Sequence, residues 1–189
     1  MSTLFQPPIN RIGEAKWVDK INSYLEKYDI PFQGESILTI EQTENALELQ
    51  LPSQIREYYL HFGRTSTSDF MYNLKPITEF KRLFAANLSF ISLNFRMSEI
   101  DTMIIFSESP GTDPLCFDFK TGAIYLFSHD PIKKAKVFTD FSQYLVYELI
   151  EAEKLLGDPI DDNAAKELEE EYLKGNDIDY DFRTMKLLD

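Results

Sequence analysis

Between Met103 and Asp130 the chain alternates apolar and polar positions in a way that draws strands. In MIIFSESPGTDPLCFDFKTGAIYLFSHD, Leu115, Phe117 and Phe119 fall on one side, and Cys116, Asp118 and Lys120 on the other. This is the period of two expected when successive side chains point to opposite faces of a sheet. Ile124 and Leu126 resume the pattern after a turn at Thr121-Gly122. A run from Met103 to Phe106 precedes it and ends in a polar loop from Ser107 to Pro114. The pattern predicts a small antiparallel sheet with Glu108, Asp113 and His129 at its strand ends.

Helical periods bracket this sheet. Trp17, Ile21, Tyr24, Leu25 and Tyr28 predict a first helix over 14–28. Thr39 followed by Gln42 reads as a capping box for a short second helix through Leu47. Leu51-Pro52 interrupts it, because a residue before proline is pushed out of the helical region. Ser53 then reads as the cap of a third helix with Ile55, Tyr58, Tyr59 and Phe62 on one face and Gly63 as its stop. Further strands are predicted over 70–74, 89–95 and 136–138, with a short helix or turn over 78–86. Asp140 caps a strong helix on which Phe141, Tyr144, Leu145, Leu149, Ala152 and Leu156 share a face. An acidic helix over 163–174, closed by Gly175, leads into a polar end. The predicted class is α+β: N-terminal helices, a central antiparallel sheet, a closing helix and an acidic helical C-terminal extension. We place the domain at 1–156 and the extension at 157–189.

Composition narrows the function classes. A chain of 189 residues with 43% hydrophobic and 14% aromatic content fills one real core. It has no apolar run long enough for a membrane helix, and its first residues lack the pattern of a signal peptide. With a single cysteine, Cys116, placed inside a strand, these features predict a cytoplasmic protein with a buried thiol. The net charge of −13 is uneven: residues 151–189 hold thirteen acids and five bases, a net of −8. Such a surface disfavours nucleic acid and anionic membranes. It favours a basic partner, although solubility alone explains most acidic proteins.

Candidate chemistry is sparse. Glu108, Asp113 and Asp118 supply carboxylates for a cation site, but nothing in their spacing makes the oxygens converge, so no metal is expected. Asp177, Asp179 and Asp181 imitate the start of a calcium loop, yet Phe182 stands where its glycine belongs and Leu188 where its glutamate belongs. The Glu169-Glu170-Glu171 run reads as a solvated helix face. His129 has Ser107, Ser109 and Ser128 nearby in sequence for a base–nucleophile pair, but no nucleophile elbow surrounds any of them. Glycine-rich phosphate loops are missing, so no nucleotide cofactor is expected. Tyr58 and Tyr125 are aromatic candidates for an interface.

Two segments carry a family resemblance. IEQTENALELQLPSQIREYYLHFG, residues 40–63, resembles the signature of the SUKH superfamily, with Glu44, Leu47, Leu51, Pro52, Tyr59 and Gly63 at matching places. IIFSESPGTDPLCFDFKTGAIYLFSHD followed by KVFTDFSQYLVYEL resembles that family's sheet and closing helix. The sequence departs from the pattern at Glu48, where a glycine is usual, and at Phe62, where an asparagine is usual. The resemblance covers about residues 36–150 and implies a non-catalytic binding protein. Its members are mostly bacterial immunity proteins that neutralise polymorphic toxins, often nucleases, and otherwise fungal regulators of cell-wall assembly. On that reading Glu108, Asp113, Asp118, His129 and Asp130, with Tyr58 and Tyr125 as anchors, meet a basic cognate toxin. A regulatory interaction module is the second reading, and a metal-assisted hydrolase the third.

Overall fold

The computed structural model describes residues 5–63, 70–71, 73–157 and 162–187. Three helices come first: α1 (Trp17–Lys27), α2 (Ile37–Leu47) and α3 (Ser53–His61). α1 starts later than its period predicts. The Glu14 carboxylate accepts the backbone N–H groups of Asn10 and Arg11 instead, and Lys16 takes a left-handed conformation. The cap of α2 is Ser36 rather than Thr39: the Ser36 hydroxyl accepts the Thr39 N–H at 3.0 Å. Ser53 is likewise the first residue of α3 and not its cap, which is Pro52. Gly63 does end α3, at φ +56°, and a Cβ there would stand 2.1 Å from the Gln33 carbonyl oxygen. Only glycine fits both constraints.

The sheet is a meander of sequence neighbours, all antiparallel: β1 (Lys81–Arg82), β2 (Met103–Glu108), β3 (Pro114–Asp118), β4 (Ile124–His129) and β5 (Ile132–Phe138). Short 3₁₀ turns over Ile77–Glu79 and Leu83–Ala85 flank β1, which answers the expected helix or turn there. Phe70 and Met71 form bends and Asn73 a turn where a strand over 70–74 is predicted; Tyr72 lies outside the described residues. Residues 89–95 were also expected as a strand, and the finding is α4 (Ser89–Asn94), followed by α5 (Met97–Ile100). The apolar residues of 88–95 suit either period, and tertiary packing decides for the helix.

That packing explains why the sheet is apolar on both faces. Ile104, Phe106, Leu115, Phe117, Ile124 and Leu126 join the main core with α1, α3 and α6 (Phe141–Leu156). The intervening residues Met103, Ile105, Cys116 and Phe127 form a second cluster with Leu83, Ile91 and Ile100, so α4 and α5 roof the far face. Each large side chain so buried contributes about 1.5–3 kcal/mol. Asp140 caps α6 as predicted, accepting the Gln143 N–H at 3.0 Å. α6 is buried on almost every side, the mark of a helix at the centre of a fold.

Beyond α6 the chain forms α7 (Asp162–Tyr172) and α8 (Tyr180–Leu187). The sequence pattern did not announce α8, whose eight residues carry one strong apolar anchor, Phe182. Leu168, Leu173 and Phe182 reach the main core. Arg183 is 2% exposed: its guanidinium lies 5.3 Å from the Phe138 ring and 5.1 Å from the Tyr180 ring, and 3.5 Å from Glu169. No helix among the described residues is long and apolar enough to cross a membrane.

Candidate interaction site

Because the sheet is a meander, the β2–β3 and β4–β5 hairpins turn at the same end. Their tips bring together Glu108, Asp113, His129 and Asp130. Asp113 is fully buried. Its Oδ1 accepts the His129 backbone N–H at 3.0 Å and lies 2.5 Å from His129 Nδ1. From α8, Lys186 brings its Nζ to 3.1 Å from Asp113 Oδ2 and donates to the Asp130 carbonyl at 2.5 Å. Burial alone pushes the Asp113 pKa up, but hydrogen bonds from His129 and Lys186 outweigh it and hold it below the usual carboxylate range. Glu108 is neutralised in turn by Lys75, at 2.7 Å.

The other expected contact residues lie elsewhere. Asp118 sits at the opposite end of β3, where its carboxylate accepts the Lys120 N–H at 2.9 Å and organises the Thr121-Gly122 turn. Tyr125 lies on the roofed face of β4, half-buried, with Lys134 Nζ 4.7 Å from its ring centre. Tyr58 offers no surface: it is 0% exposed and packs edge-on against Tyr59 and Phe141. Its period placed it on the apolar face of α3, and that face is core. Asp130 is exposed, and no ion pair reaches its carboxylate among the described residues.

The serines near His129 in sequence have other partners. Ser107 Oγ lies 3.2 Å from the Tyr144 hydroxyl, Ser109 Oγ accepts the Asp113 N–H, and Ser128 Oγ accepts the Asp130 N–H. The nitrogen of His129 that contacts protein is Nδ1, on Asp113, which leaves Nε2 on the half-exposed side of the ring. Among the described residues no group of three or more His, Cys, Asp or Glu side chains is placed to hold a metal ion.

A concave region away from the hairpin tips was not foreseen. It lies where α2 meets α3 across the Leu49–Pro52 link and consists of two adjoining clefts of about 620 and 590 Å³. Glu41, Glu44 and Gln50 line both, Glu48 and Leu49 one wall, Ser53 and Arg56 the other. Glu44 fastens the walls: Oε1 accepts the Leu51 N–H at 3.0 Å and Oε2 accepts from Arg56 Nη1 at 2.6 Å. The signal for this site was the glutamate ahead of Leu51-Pro52, whose clamping role requires the fold to be seen.

A further acid, Glu148 on α6, belongs to neither site: it is half-buried beside Tyr144 and the Met71 backbone, and desolvation raises its pKa to about 7 against the hydrogen bond from Tyr144. The nearby Tyr58 hydroxyl has no hydrogen-bond partner among the described residues.

Fold and sites together define an α+β scaffold that displays a polar cleft and a cluster of charged strand ends around an apolar core. The family model SUKH_6, described as SMI1-KNR4 cell-wall, matches residues 37–145, from the start of α2 into α6. The chain belongs to this family within the SUKH superfamily. No curated protein and no solved structure matches the chain.

Proposed function

We propose that this protein is a cytoplasmic immunity protein that binds a basic cognate toxin and blocks its working surface without doing chemistry itself. Membership of the family carries the reading. The net charge of −13 supports a cationic partner, since complementary charge speeds encounter and selects against wrong partners. Occlusion asks only for a rigid, charged surface, and the family core supplies one between α2 and α6. The test is to read the gene neighbourhood and co-express this chain with a toxin found there. Rescue of growth and a complex that survives gel filtration are expected; unrescued cells and no complex refute the reading.

The description of the matching family as SMI1-KNR4 cell-wall favours a second reading, a regulatory module that recruits cellular proteins. Gene neighbourhood separates the two, since an immunity gene lies next to its toxin gene and a regulatory one has no such neighbour.

A further inference from the structure

We infer that the partner docks on the cleft between α2 and α3, and that it inserts a basic, amphipathic element there rather than at the hairpin tips. The inference rests on the binding function proposed above and assigns the surface that performs it.

Charge pairing makes the first argument. At the hairpin tips Asp113 is already compensated by His129 and Lys186, and Glu108 by Lys75. In the α2–α3 cleft, Glu44 is compensated by Arg56, but no ion pair reaches Glu41 or Glu48 among the described residues. A cation entering the tips meets one unpaired carboxylate, Asp130, and otherwise has to displace an internal cation. In the cleft it meets free carboxylates.

The second argument is the pairing of charge with exposed apolar surface on one helix. Ile37 and Leu38 are 57% and 62% exposed, one turn ahead of Glu41. Their partners inward, Ile40, Thr43 and Leu47, are buried, so α2 is held by one side and shows the other to solvent. An apolar end followed by a line of carboxylates matches an element with apolar and basic residues in the same order.

Residue choice at the end of α2 makes the third. Glu48 is its C-terminal cap, at φ 53°, a left-handed conformation that favours glycine or asparagine. It also places a negative charge at the negative end of the helix, whose last turn has no basic residue. Stability explains neither choice. The Glu48 carboxylate adds to the negative potential of the cleft. The cleft is also pre-set: Glu44 locks its walls, and Arg82 donates to the Leu47 carbonyl at 3.0 and 2.7 Å, which fixes the end of α2. A partner therefore pays little to order it.

The experiment uses the full chain and a synthetic leucine–lysine amphipathic peptide as the probe, with a leucine–glutamate peptide as control. Amide shift mapping is expected to place the lysine peptide on residues 37–56. The double variant Glu41→Lys/Glu48→Lys is expected to weaken it about tenfold by calorimetry. Glu170→Lys/Glu171→Lys, on α7, changes the net charge equally and is expected to cost less than about twofold. If the Lys variant loses its circular dichroism, Glu41→Gln/Glu48→Gln serves in its place. Shifts centred elsewhere, equal losses from both double variants, or no binding overturn the assignment. Toxin co-expression keeps the two claims apart. If the wild type fails to rescue, the immunity reading falls while the peptide map stands. If the wild type and Glu41→Lys/Glu48→Lys rescue equally, the surface is wrong and the function survives.

Discussion

The Asp113 carboxylate and the His129 imidazole, 2.5 Å apart, join the tips of two hairpins that are sixteen residues apart in sequence. The buried acid also faces Lys186 at 3.1 Å, so one side chain ties two turns and the last helix together. A fully buried carboxylate is tolerated here because Oδ1 accepts from His129 and the ammonium of Lys186 faces Oδ2 to offset the charge.

Removing that acid is costly. Asp113→Ala is expected to destabilise the fold by about 3 kcal/mol in urea unfolding, because it strands Lys186 and the His129 N–H. Asp113→Asn keeps an acceptor and is expected to cost less. The pH dependence follows from the depressed pKa. The contribution of Asp113 is present above its ordinary value of 3.8 and is lost as pH falls through the lower folded value. A wild-type and an Asp113→Asn protein with the same acid midpoint would contradict this.

Glu148 gives the opposite sign. Its folded pKa of about 7 lies above the ordinary 4.5, so the folded state holds the proton more tightly than the unfolded chain. Stability from this group is full below pH 4.5 and declines as pH rises to about 7. Glu148→Gln is expected to stabilise the protein at pH 8 by roughly 1–3 kcal/mol and to change little at pH 4. Melting curves at the two pH values measure it.

Arg183 anchors α8 by stacking and by its pairing with Glu169. Arg183→Ala is expected to cost about 3 kcal/mol, since it opens a void and leaves Glu169 with less compensation. Arg183→Lys recovers only part, because an ammonium cannot reproduce the planar stack on Phe138 and Tyr180. Hydrogen exchange confined to 176–187 in the variants would show α8 loosening before the sheet.

Cys116 lies under the α4–α5 roof, and burial pushes its thiol well above the usual range. A thiol reagent at pH 8 is therefore expected to label it only as fast as the roof or the whole fold opens. Prompt stoichiometric labelling would contradict the roofed face.

Strand alternation made the meander legible, because Leu115, Phe117, Ile124 and Leu126 obey a period that local chemistry alone enforces. The caps at Asp140 and the stop at Gly63 were legible for the same reason. Residues 89–95 were not, since an apolar run that covers a sheet and one that joins it look alike until the second face is known. α8 escaped because a buried arginine supplies much of its hold, and periodicity counts arginine as polar. The acids of the hairpin tips could be named from sequence, but their compensation by Lys75 and Lys186 could not. Those lysines lie 33 residues from Glu108 and 73 from Asp113 along the chain. Glu44 was visible as a family residue, and its two hydrogen bonds explain why a glutamate ahead of Leu51-Pro52 is needed.

The order of the sheet has a consequence in time. Every strand pairs with its neighbour in sequence, so β2 through β5 close as successive local hairpins with short loops to restrict. Lys186, which settles the charge at their shared end, is made after all of these strands. A chain interrupted before α8 thus carries a sheet that can assemble around an acid whose cation has not been made. Docking of α8 along β5 then brings the missing ammonium to that carboxylate, so charge completes what hairpin closure begins.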